Sequence, residues 1–264
     1  GFRDKEPDNN HPVILFVGDS FTTGHGLKSV EERFSNLVAG KLNEKSEKYT
    51  VINIGRNNLD SREEYDSMIN FFHLTRIKPE IIVLQYYGND INGAALDSGI
   101  KYDGFRPPPG MNKILILIGS GSYFLNYLYW ISPRDYLGKP YINFLTQAYK
   151  NDTVLSSHKD DLKLFIDYAG TNSIKLIAVV FPLLNDLEFS DALYVNNIVN
   201  FFKTNHINTI NVSSLAKAIP LSERTINTND GHASPELNKI VAEEILRHLS
   251  QQDRHEIVST ENKP

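Results

Sequence analysis

Short, continuous apolar runs alternate along the chain with longer segments of mixed polarity. Continuous apolar runs of four to eight residues are typical of strands buried on both faces of a parallel sheet. We therefore predict five strands, at Val13–Val17, Val51–Ile54, Ile81–Leu84 with an extension towards Tyr86, Lys175–Phe181 and Thr209–Val212. The segments between these strands predict helices over residues 30–47, 61–77, 158–169, 190–204 and 235–249.

Capping residues mark the starts of two of these helices. Ser61 is a candidate N-cap because Glu64 follows three residues later, as in a capping box, and Pro79 ends the same helix. Ser234 is a candidate N-cap of the last helix. Pro235 then takes the first helical position, where the missing N–H of proline costs nothing.

The order of these elements predicts an α/β fold. Strands that alternate with helices form a parallel sheet with helices on both faces, and the ligand site lies at the carboxyl ends of the strands. The 264 residues suit a single domain, 1–264. Within it, residues 92–150 are predicted to be an insertion after the third strand, and residues 252–264 a polar tail.

Composition and charge narrow the range of functions. The net charge is -5 and Lys and Arg form no dense cluster, which argues against a nucleic-acid partner. The chain has no cysteine, which excludes thiol catalysis, disulfides and cysteine-ligated zinc. The missing cysteine and a first residue of Gly1 favour an exported or periplasmic protein from which an N-terminal segment or anchor has been removed.

The first candidate for chemistry directly follows the first predicted strand. Gly18-Asp19-Ser20-Phe21 places a serine hydroxyl at the carboxyl edge of the sheet, after a glycine that lets the backbone turn tightly. A helix N-cap after a strand has the same kind of sequence. Taken alone, this motif is equally compatible with a nucleophile and with a cap.

Three further motifs fall at the same predicted edge. Gly55, after the second strand, could offer its backbone N–H to an oxyanion, although a turn glycine is the simpler interpretation. Asn89, in a Gly-Asn-Asp sequence after the third strand, could donate its side-chain amide, although such sequences also form turns. His232 in a predicted loop, with Asp230 nearby, suits a general base and its orienting carboxylate, although a single histidine is usually a surface residue.

Together these motifs resemble the sequence blocks of the SGNH superfamily, the GDSL esterases and lipases. The blocks are Gly18-Asp19-Ser20, the isolated Gly55, Gly88-Asn89-Asp90 and Asp230-Gly231-His232. Their order and their placement after successive strands also match, over residues 12–91 and 175–250. The resemblance implies a three-layer α/β/α, flavodoxin-like fold and acyl-ester chemistry.

The resemblance also implies a role for each motif. Ser20 is expected to attack the acyl carbonyl, and His232 to accept the proton of the serine. Asp230 or a backbone carbonyl would orient the imidazole. The oxyanion would be held by the N–H groups of Ser20 and Gly55 and by the Asn89 side chain.

Two positions depart from the family's pattern. Many members have Asp three residues before the histidine, where this chain has Asn229. Asp230 lies only two residues before His232, so the site is a triad if Asp230 reaches the imidazole and a Ser-His dyad if it does not. Phe21 stands where the GDSL name has leucine, which is a conservative difference.

Other candidates are assigned non-catalytic roles. His25, five residues after Ser20, could line the pocket or act as a base, but a loop role is favoured. His248 suits the last turn of a helix and His73 a structural position. Asp19 is expected to bond local backbone amides. The chain has no metal or nucleotide motif, so no metal and no cofactor are expected.

The predicted insertion contains an unusual apolar segment. Residues 114–131 carry no charge over 18 positions, which is near the lower limit for a membrane span. A Gly-Ser-Gly-Ser sequence in its middle and its position inside an α/β domain favour a buried helix pair over membrane contact. We expect residues 92–150 to form a lid over the acyl site. The aromatic residues suited to a sugar or a membrane interface are Tyr123, Tyr127, Tyr129 and Trp130.

The sequence leaves three functions open. Ester hydrolysis through an acyl-enzyme on Ser20, including carbohydrate deacetylation, is the leading interpretation, with a small-molecule or carbohydrate acyl ester as partner. The first alternative is an O-acetyltransferase that modifies an extracellular polysaccharide. The second is a non-catalytic carbohydrate-binding protein, against which the complete Ser/Gly/Asn/His set counts.

Overall fold

A five-stranded parallel sheet lies at the centre of the molecule. The structure is a computed structural model that describes residues 11–44, 49–101, 121–124, 135–228 and 230–261, with the backbone alone for 135–139 and 251–261. The strands are β1 (Val13–Val17), β2 (Thr50–Asn53), β3 (Ile81–Tyr86), β4 (Lys175–Val180) and β5 (Asn208–Asn211). Their order is β2-β1-β3-β4-β5, and every neighbouring pair is parallel, as predicted.

Helices connect the strands and cover the sheet. They are α1 (Ser20–Thr23), α2 (Phe34–Leu42), α3 (Ser61–Thr75), α4 (Asn92–Asp97), α5 (Asp135–Lys150), α6 (Asp152–Thr171), α7 (Leu187–Ser190), α8 (Asn196–Thr204), α9 (Val212–Ala216), α10 (Leu221–Arg224) and α11 (Pro235–Glu261). Short 3-10 turns span Val30–Glu32 and Gly88–Ile91, and a π-helical turn at Asp191–Val195 joins α7 to α8.

Two hydrophobic cores lie on opposite faces of the sheet. Successive strand residues point to opposite faces, so Leu15 and Ile82 belong to one core and Phe16 and Val83 to the other. The first core is completed by α3, α5, α6 and α8, and the second by α2, α9 and α11. Since both faces of the strands are buried, the strands read as continuous apolar runs, which explains why their positions could be predicted.

The starts of two helices differ from the prediction. The helix predicted from residue 30 begins at Phe34, because Ser29 and Glu32 form a capping box around a 3-10 turn. The helix predicted to be capped by Ser61 is capped by Asp60, whose side chain accepts the Glu63 N–H in a capping box. This one-residue shift places Ser61 and Glu64 inside the protein, with no exposed surface.

The carboxyl-terminal part contains a small sheet that the sequence did not predict. Strands β6 (Thr225–Asn227) and β7 (Asp230–Ala233) pair antiparallel, so His232 lies on a strand and not in a loop. These strands are short and polar and give no apolar run. The last helix starts at Pro235, as predicted, and Ser234 Oγ accepts the Leu237 N–H at 3.1 Å. It continues to Glu261, through most of the predicted polar tail.

The described ends of the predicted insertion are helical. In α5, Phe144, Leu145 and Ala148 are buried in the first core, so this end of the segment is part of the packed fold. Of residues 114–131 only 121–124 are described, and Tyr123 is 96% exposed. Tyr127, Tyr129 and Trp130 lie outside the described residues. Within the described part of the chain, no helix is both long enough and apolar enough to cross a bilayer.

Candidate active site

The nucleophile candidate lies on a tight turn at the carboxyl end of β1. A side chain at Gly18 would place its Cβ 2.3 Å from Thr22 Oγ1 and 2.5 Å from Gln85 Oε1, so only glycine fits there. Asp19 then caps α1, because its Oδ1 accepts the Phe21 N–H at 2.9 Å. Ser20 is the first residue of α1, a position at which no helical carbonyl accepts the backbone N–H.

Ser20, His232 and Asp230 form a continuous hydrogen-bonded chain. His232 Nε2 lies 2.8 Å from Ser20 Oγ, and His232 Nδ1 lies 2.6 Å from Asp230 Oδ1. The backbone N–H of His232 donates to the same Asp230 oxygen at 3.0 Å. Asp230 therefore reaches the imidazole despite the two-residue spacing. By accepting a hydrogen from Nδ1, it leaves the lone pair of Nε2 facing the serine.

The environment keeps Asp230 ionised. Burial by itself raises the pKa of this carboxyl, but hydrogen bonds from the side chain and backbone of His232 outweigh burial and hold the pKa below its ordinary value. A carboxylate at this position is what an imidazolium needs when His232 takes up a proton. At Asp19, by contrast, burial raises the pKa although the Phe21 N–H opposes it.

Aromatic rings and a second histidine surround the imidazole. The Phe21 ring centroid lies 5.1 Å from that of His232, and the Phe21 ring also contacts Tyr87 and Phe181. The exposed ring of His25 lies 4.6 Å from that of His232, beside the triad. The sequence favours a loop role for His25, and the residue lies in the turn that follows α1. Because His25 and His232 are far apart in the sequence, no local pattern predicts that their rings lie close together.

A set of three side chains could bind a metal ion. One ligand atom each from His25, Asp230 and His232 lie within 4.8 Å of one another. Two imidazoles and a carboxylate are a ligand set that suits zinc. In the observed arrangement, however, His232 uses both ring nitrogens, one towards Asp230 and one towards Ser20. Metal binding to this residue would replace at least one of these hydrogen bonds.

Gly55 lies beside the nucleophile turn, but its N–H is already engaged. The Gly55 N–H donates to Asn53 Oδ1 at 3.0 Å. A Cβ on Gly55 would lie 2.7 Å from Thr22 Cβ and 2.8 Å from the backbone nitrogen of Thr23. The structure thus shows a packing reason for glycine here. An oxyanion would have to compete with Asn53 Oδ1 for this N–H.

Asn89 also lies against the turn that carries Ser20. Its Nδ2 donates to the backbone oxygen of Leu59 at 3.1 Å, and a contact with the Asp19 carboxylate partly opposes the rise in pKa that burial causes in that group. An amide nitrogen has two hydrogens, so the bond to Leu59 occupies only one of them. The contact with Asp19 draws on the other, so an oxyanion would have to compete for an Asn89 hydrogen, as it would for the Gly55 N–H.

Two buried carboxyl groups behind the site were not anticipated. Glu64 is completely buried, and neither of its carboxyl oxygens has a hydrogen-bond partner among the described residues. Burial, with repulsion from Asp90 and Asp19, raises the pKa of Glu64 well above its usual range. Burial and repulsion from Asp19 do the same for Asp90. The sequence offers one signal for the burial of Glu64. Glu64 precedes Met68, which is buried, by about one helical turn, so both side chains lie on the same face of the helix.

A cavity of about 570 Å³ opens next to Gly55. It is lined by Thr23, Arg33, Asn53, Ile54, Gly55, Arg56, Ser67, Asn70, Phe71 and Leu74. The lining combines apolar side chains with amides, hydroxyls and two arginines, and includes no carboxylate. It is a volume of the size that ligand pockets commonly have.

Comparison with known proteins gives similarity in structure but not in sequence. No protein-family model matches the chain, and no curated protein matches its sequence. The structure of TesA superposes with a TM-score of 0.56 at 12% identity, over 90% of this chain and 98% of TesA. The acetyl xylan esterase AlAXEase gives a TM-score of 0.55 at 16% identity, over 89% and 98% of the two chains.

A third similar structure carries the family name. It is a protein from Desulfitobacterium hafniense DCB-2 described as a lipolytic member of the G-D-S-L family, with a TM-score of 0.54 at 15% identity, over 90% and 99% of the chains. At this level of identity the similarity shows the fold. The chain therefore has the α/β fold of the SGNH (GDSL) hydrolases, and the fold predicted from the sequence is confirmed.

Proposed function

We propose that this protein is a serine-dependent ester hydrolase that works through an acyl-enzyme on Ser20. The single observation that carries the proposal is the hydrogen-bonded chain from Ser20 through His232 to Asp230, with distances of 2.8 and 2.6 Å. A hydroxyl, a base and an orienting carboxylate in this order are the parts that nucleophilic catalysis by serine requires.

In the first step Ser20 is acylated. Its Oγ attacks the ester carbonyl carbon while His232 Nε2 accepts the hydroxyl proton, and the carbonyl electron pair moves onto the oxygen. Asp230 stabilises the imidazolium that results. When the tetrahedral intermediate collapses, His232 returns the proton to the leaving alkoxide, so that an alcohol departs and the acyl group stays on Ser20.

The negative oxygen of the intermediate needs hydrogen-bond donors at the same edge. We assign this role to the Ser20 N–H at the start of α1 and to the side-chain amide of Asn89, which would turn a hydrogen from Leu59 or Asp19 towards the oxyanion. Gly55 would join them only if its N–H left Asn53 Oδ1. Deacylation repeats the sequence with water as nucleophile and releases the carboxylic acid.

Acetylated carbohydrates are the first substrates to test within this class. One protein of similar fold is an acetyl xylan esterase, and the cavity beside Gly55 offers polar lining groups for a second part of a substrate. Transfer of the acyl group to a sugar hydroxyl uses the same site and differs only in the acceptor. Release of the donor's alcohol that requires an added carbohydrate acceptor, with the acetyl group recovered on that acceptor and not as free acetate, would assign the chain to transfer instead of hydrolysis.

The proposal is tested by hydrolysis of p-nitrophenyl acetate and of longer-chain esters. We expect turnover by the wild type and its loss in both Ser20→Ala and His232→Ala. The exposed His73 provides a matched control, since His73→Ala should leave turnover unchanged. Turnover that persists in Ser20→Ala would refute the assignment of the nucleophile.

A further inference from the structure

A second chain of hydrogen bonds lies buried behind the candidate site. Tyr86 Oη is 2.6 Å from Tyr149 Oη and 2.9 Å from His158 Nε2, and Tyr149 Oη is 3.1 Å from the backbone oxygen of Gly88. The three side chains are at most 5% exposed. No step of the proposed reaction uses them, and nothing in the sequence motifs pointed to them.

The hydrogens in this chain can be arranged in only one direction. The Gly88 carbonyl can only accept, so Tyr149 donates to it with its single hydroxyl hydrogen. Tyr86 must then donate to Tyr149, and His158 Nε2 must donate to Tyr86. Burial lowers the pKa of His158 to about 3, so the ring is neutral and its one hydrogen is on Nε2. His158 Nδ1 has no partner among the described residues, in agreement with this tautomer.

This chain of hydrogen bonds ends at the peptide group between Gly88 and Asn89. The carbonyl of Gly88 and the N–H of Asn89 belong to one planar unit, so a bond to the carbonyl fixes the orientation of the Asn89 backbone. Gly88 is also held from another side, because an added Cβ would lie 3.2 Å from the Tyr194 ring. The rings of Tyr194 and Tyr149 stack at 5.0 Å. Gly88 therefore lies between a hydroxyl group and an aromatic ring.

We propose that Tyr149, supported by Tyr86 and His158, is a positioning residue. By fixing the Asn89 backbone it holds the side-chain amide of Asn89 in place for the oxyanion. The inference rests on the proposed ester hydrolysis. Tyr149 belongs to α5, in the segment inserted after β3, whereas His158 belongs to α6 and Tyr86 to β3. The insertion thus supports the catalytic edge through a defined hydrogen bond, in addition to any role as a lid.

The first test compares two tyrosines that each lose one buried hydroxyl. In Tyr149→Phe we expect kcat for p-nitrophenyl acetate to fall about fivefold to tenfold, with KM changed less than about twofold, because one hydrogen bond supporting a transition-state donor is lost. Tyr194→Phe is the matched control. Its hydroxyl donates to the backbone oxygen of Phe181 at 2.9 Å, and its ring, which lies beside Gly88, is retained. A similar fall in kcat in both variants would indicate a general packing effect and overturn the inference.

The second test asks whether Tyr149 acts through Asn89. Removal of one oxyanion donor lowers kcat by roughly 100- to 1000-fold, and we expect a loss of this kind in Asn89→Ala. In that background Tyr149→Phe should have no further effect on kcat, because the group that it positions is gone. Multiplicative effects of the two substitutions would show that Tyr149 acts independently of Asn89 and would overturn the inference.

Rescue at His158 provides a third readout. His158→Gln keeps an N–H donor of similar reach to Tyr86, whereas His158→Leu removes it, so we expect kcat to be preserved better in the glutamine variant. Equal values would contradict the directed chain. Wild-type turnover that depends on Ser20, together with unchanged kcat in Tyr149→Phe, overturns this inference alone. Absence of any Ser20-dependent turnover overturns the proposed function and this inference with it.

Discussion

At the scale of single residues, the candidate site depends on Asp230 taking a position that its spacing left open. One oxygen of Asp230 accepts both the Nδ1–H and the backbone N–H of His232. This double contact is possible because both residues lie on β7, whose pleat brings residues two apart to the same side. A spacing of two residues is therefore sufficient for Asp230 to reach the imidazole when both residues lie on one strand.

Asp230→Asn should therefore separate catalysis from folding. The amide can no longer select the Nδ1–H tautomer or stabilise an imidazolium, so we expect kcat to fall by roughly a thousandfold or more. The midpoint of urea unfolding should fall only modestly, because asparagine fills the same volume and the side chain is 24% exposed. The exposed Asp97 gives a control, Asp97→Asn. Activity within about tenfold of the wild type would show that the site works as a dyad.

Glu64 should limit stability as the pH rises. A carboxyl whose folded-state pKa is raised keeps its proton above pH 4.5, where the unfolded chain releases it, so the folded state loses relative stability with increasing pH. Glu64→Gln lacks this contribution to the pH dependence. We expect the variant to gain stability over the wild type progressively from pH 5 to pH 8 in urea unfolding. The exposed Glu188→Gln serves as control, and a pH-independent difference for Glu64→Gln would contradict the account.

His158 should have the opposite pH dependence. Its pKa is lowered to about 3 by burial, so the unfolded chain binds a proton below pH 6.5 that the folded protein does not. Between pH 6.5 and pH 3 this difference removes about 1.4 kcal/mol of stability per pH unit. In His158→Gln that contribution to the slope should vanish. Urea unfolding at pH 7, 6 and 5 measures it, and parallel wild-type and variant profiles would refute a neutral buried imidazole.

The sequence predicted the candidate site residues better than their surroundings. Ser20 and Asn89 could be placed at one edge because each follows a strand whose position the apolar pattern fixes. His232 instead lies on β7, a polar strand that the pattern did not predict. The hydrogen bond from Gly55 to Asn53 depends on the direction of a side chain at the end of β2. The burial of Glu64 depends on where α3 begins. The N-cap of α3 is Asp60 and not Ser61, which shifts the first turn of the helix by one residue. The hydrophobic periodicity of a sequence cannot locate a helix start to within one residue.

At the scale of secondary-structure elements, the buried strands of the central sheet were predicted accurately and the partly exposed β6 and β7 were not. The strands agree with the prediction to within about one residue because apolar runs report a sheet buried on both faces. The hairpin of β6 and β7 was missed, since Thr225–Asn227 and Asp230–Ala233 are mostly polar. Its position is fixed instead by contacts with neighbouring helices. These long-range contacts leave no trace in local sequence.

Asn238 joins three of these elements and should be important for stability. Its Oδ1 accepts the Phe34 N–H at the start of α2, and its Nδ2 donates to the carbonyls of Ala233 and Ser234. The side chain is 2% exposed. We expect Asn238→Ala to cost about 2–3 kcal/mol in urea unfolding, because buried backbone groups lose their partners. The exposed Asn172→Ala should cost less than about 0.5 kcal/mol, and equal losses would contradict the account.

At the scale of the whole molecule, the sheet order assembles the site. Strands β1 and β3 are neighbours, so their carboxyl ends bring Ser20 and Asn89 together although β2 lies between them in sequence. The hairpin before α11 then brings Asp230 and His232 to the same edge. Residues 20, 89 and 230–232 thus form one site only in the folded chain. The alternation of strands and helices was sufficient to predict this edge, but not the distances across it.

The central claim is that His232 activates Ser20 as a nucleophile. Its most direct test is reaction with a fluorophosphonate, followed by mass spectrometry of the intact protein and of its peptides. The account predicts a single adduct on Ser20 in the wild type, no adduct in Ser20→Ala, and strongly slowed labelling in His232→Ala. Labelling of another residue, or labelling of Ser20 at the same rate without His232, would contradict it.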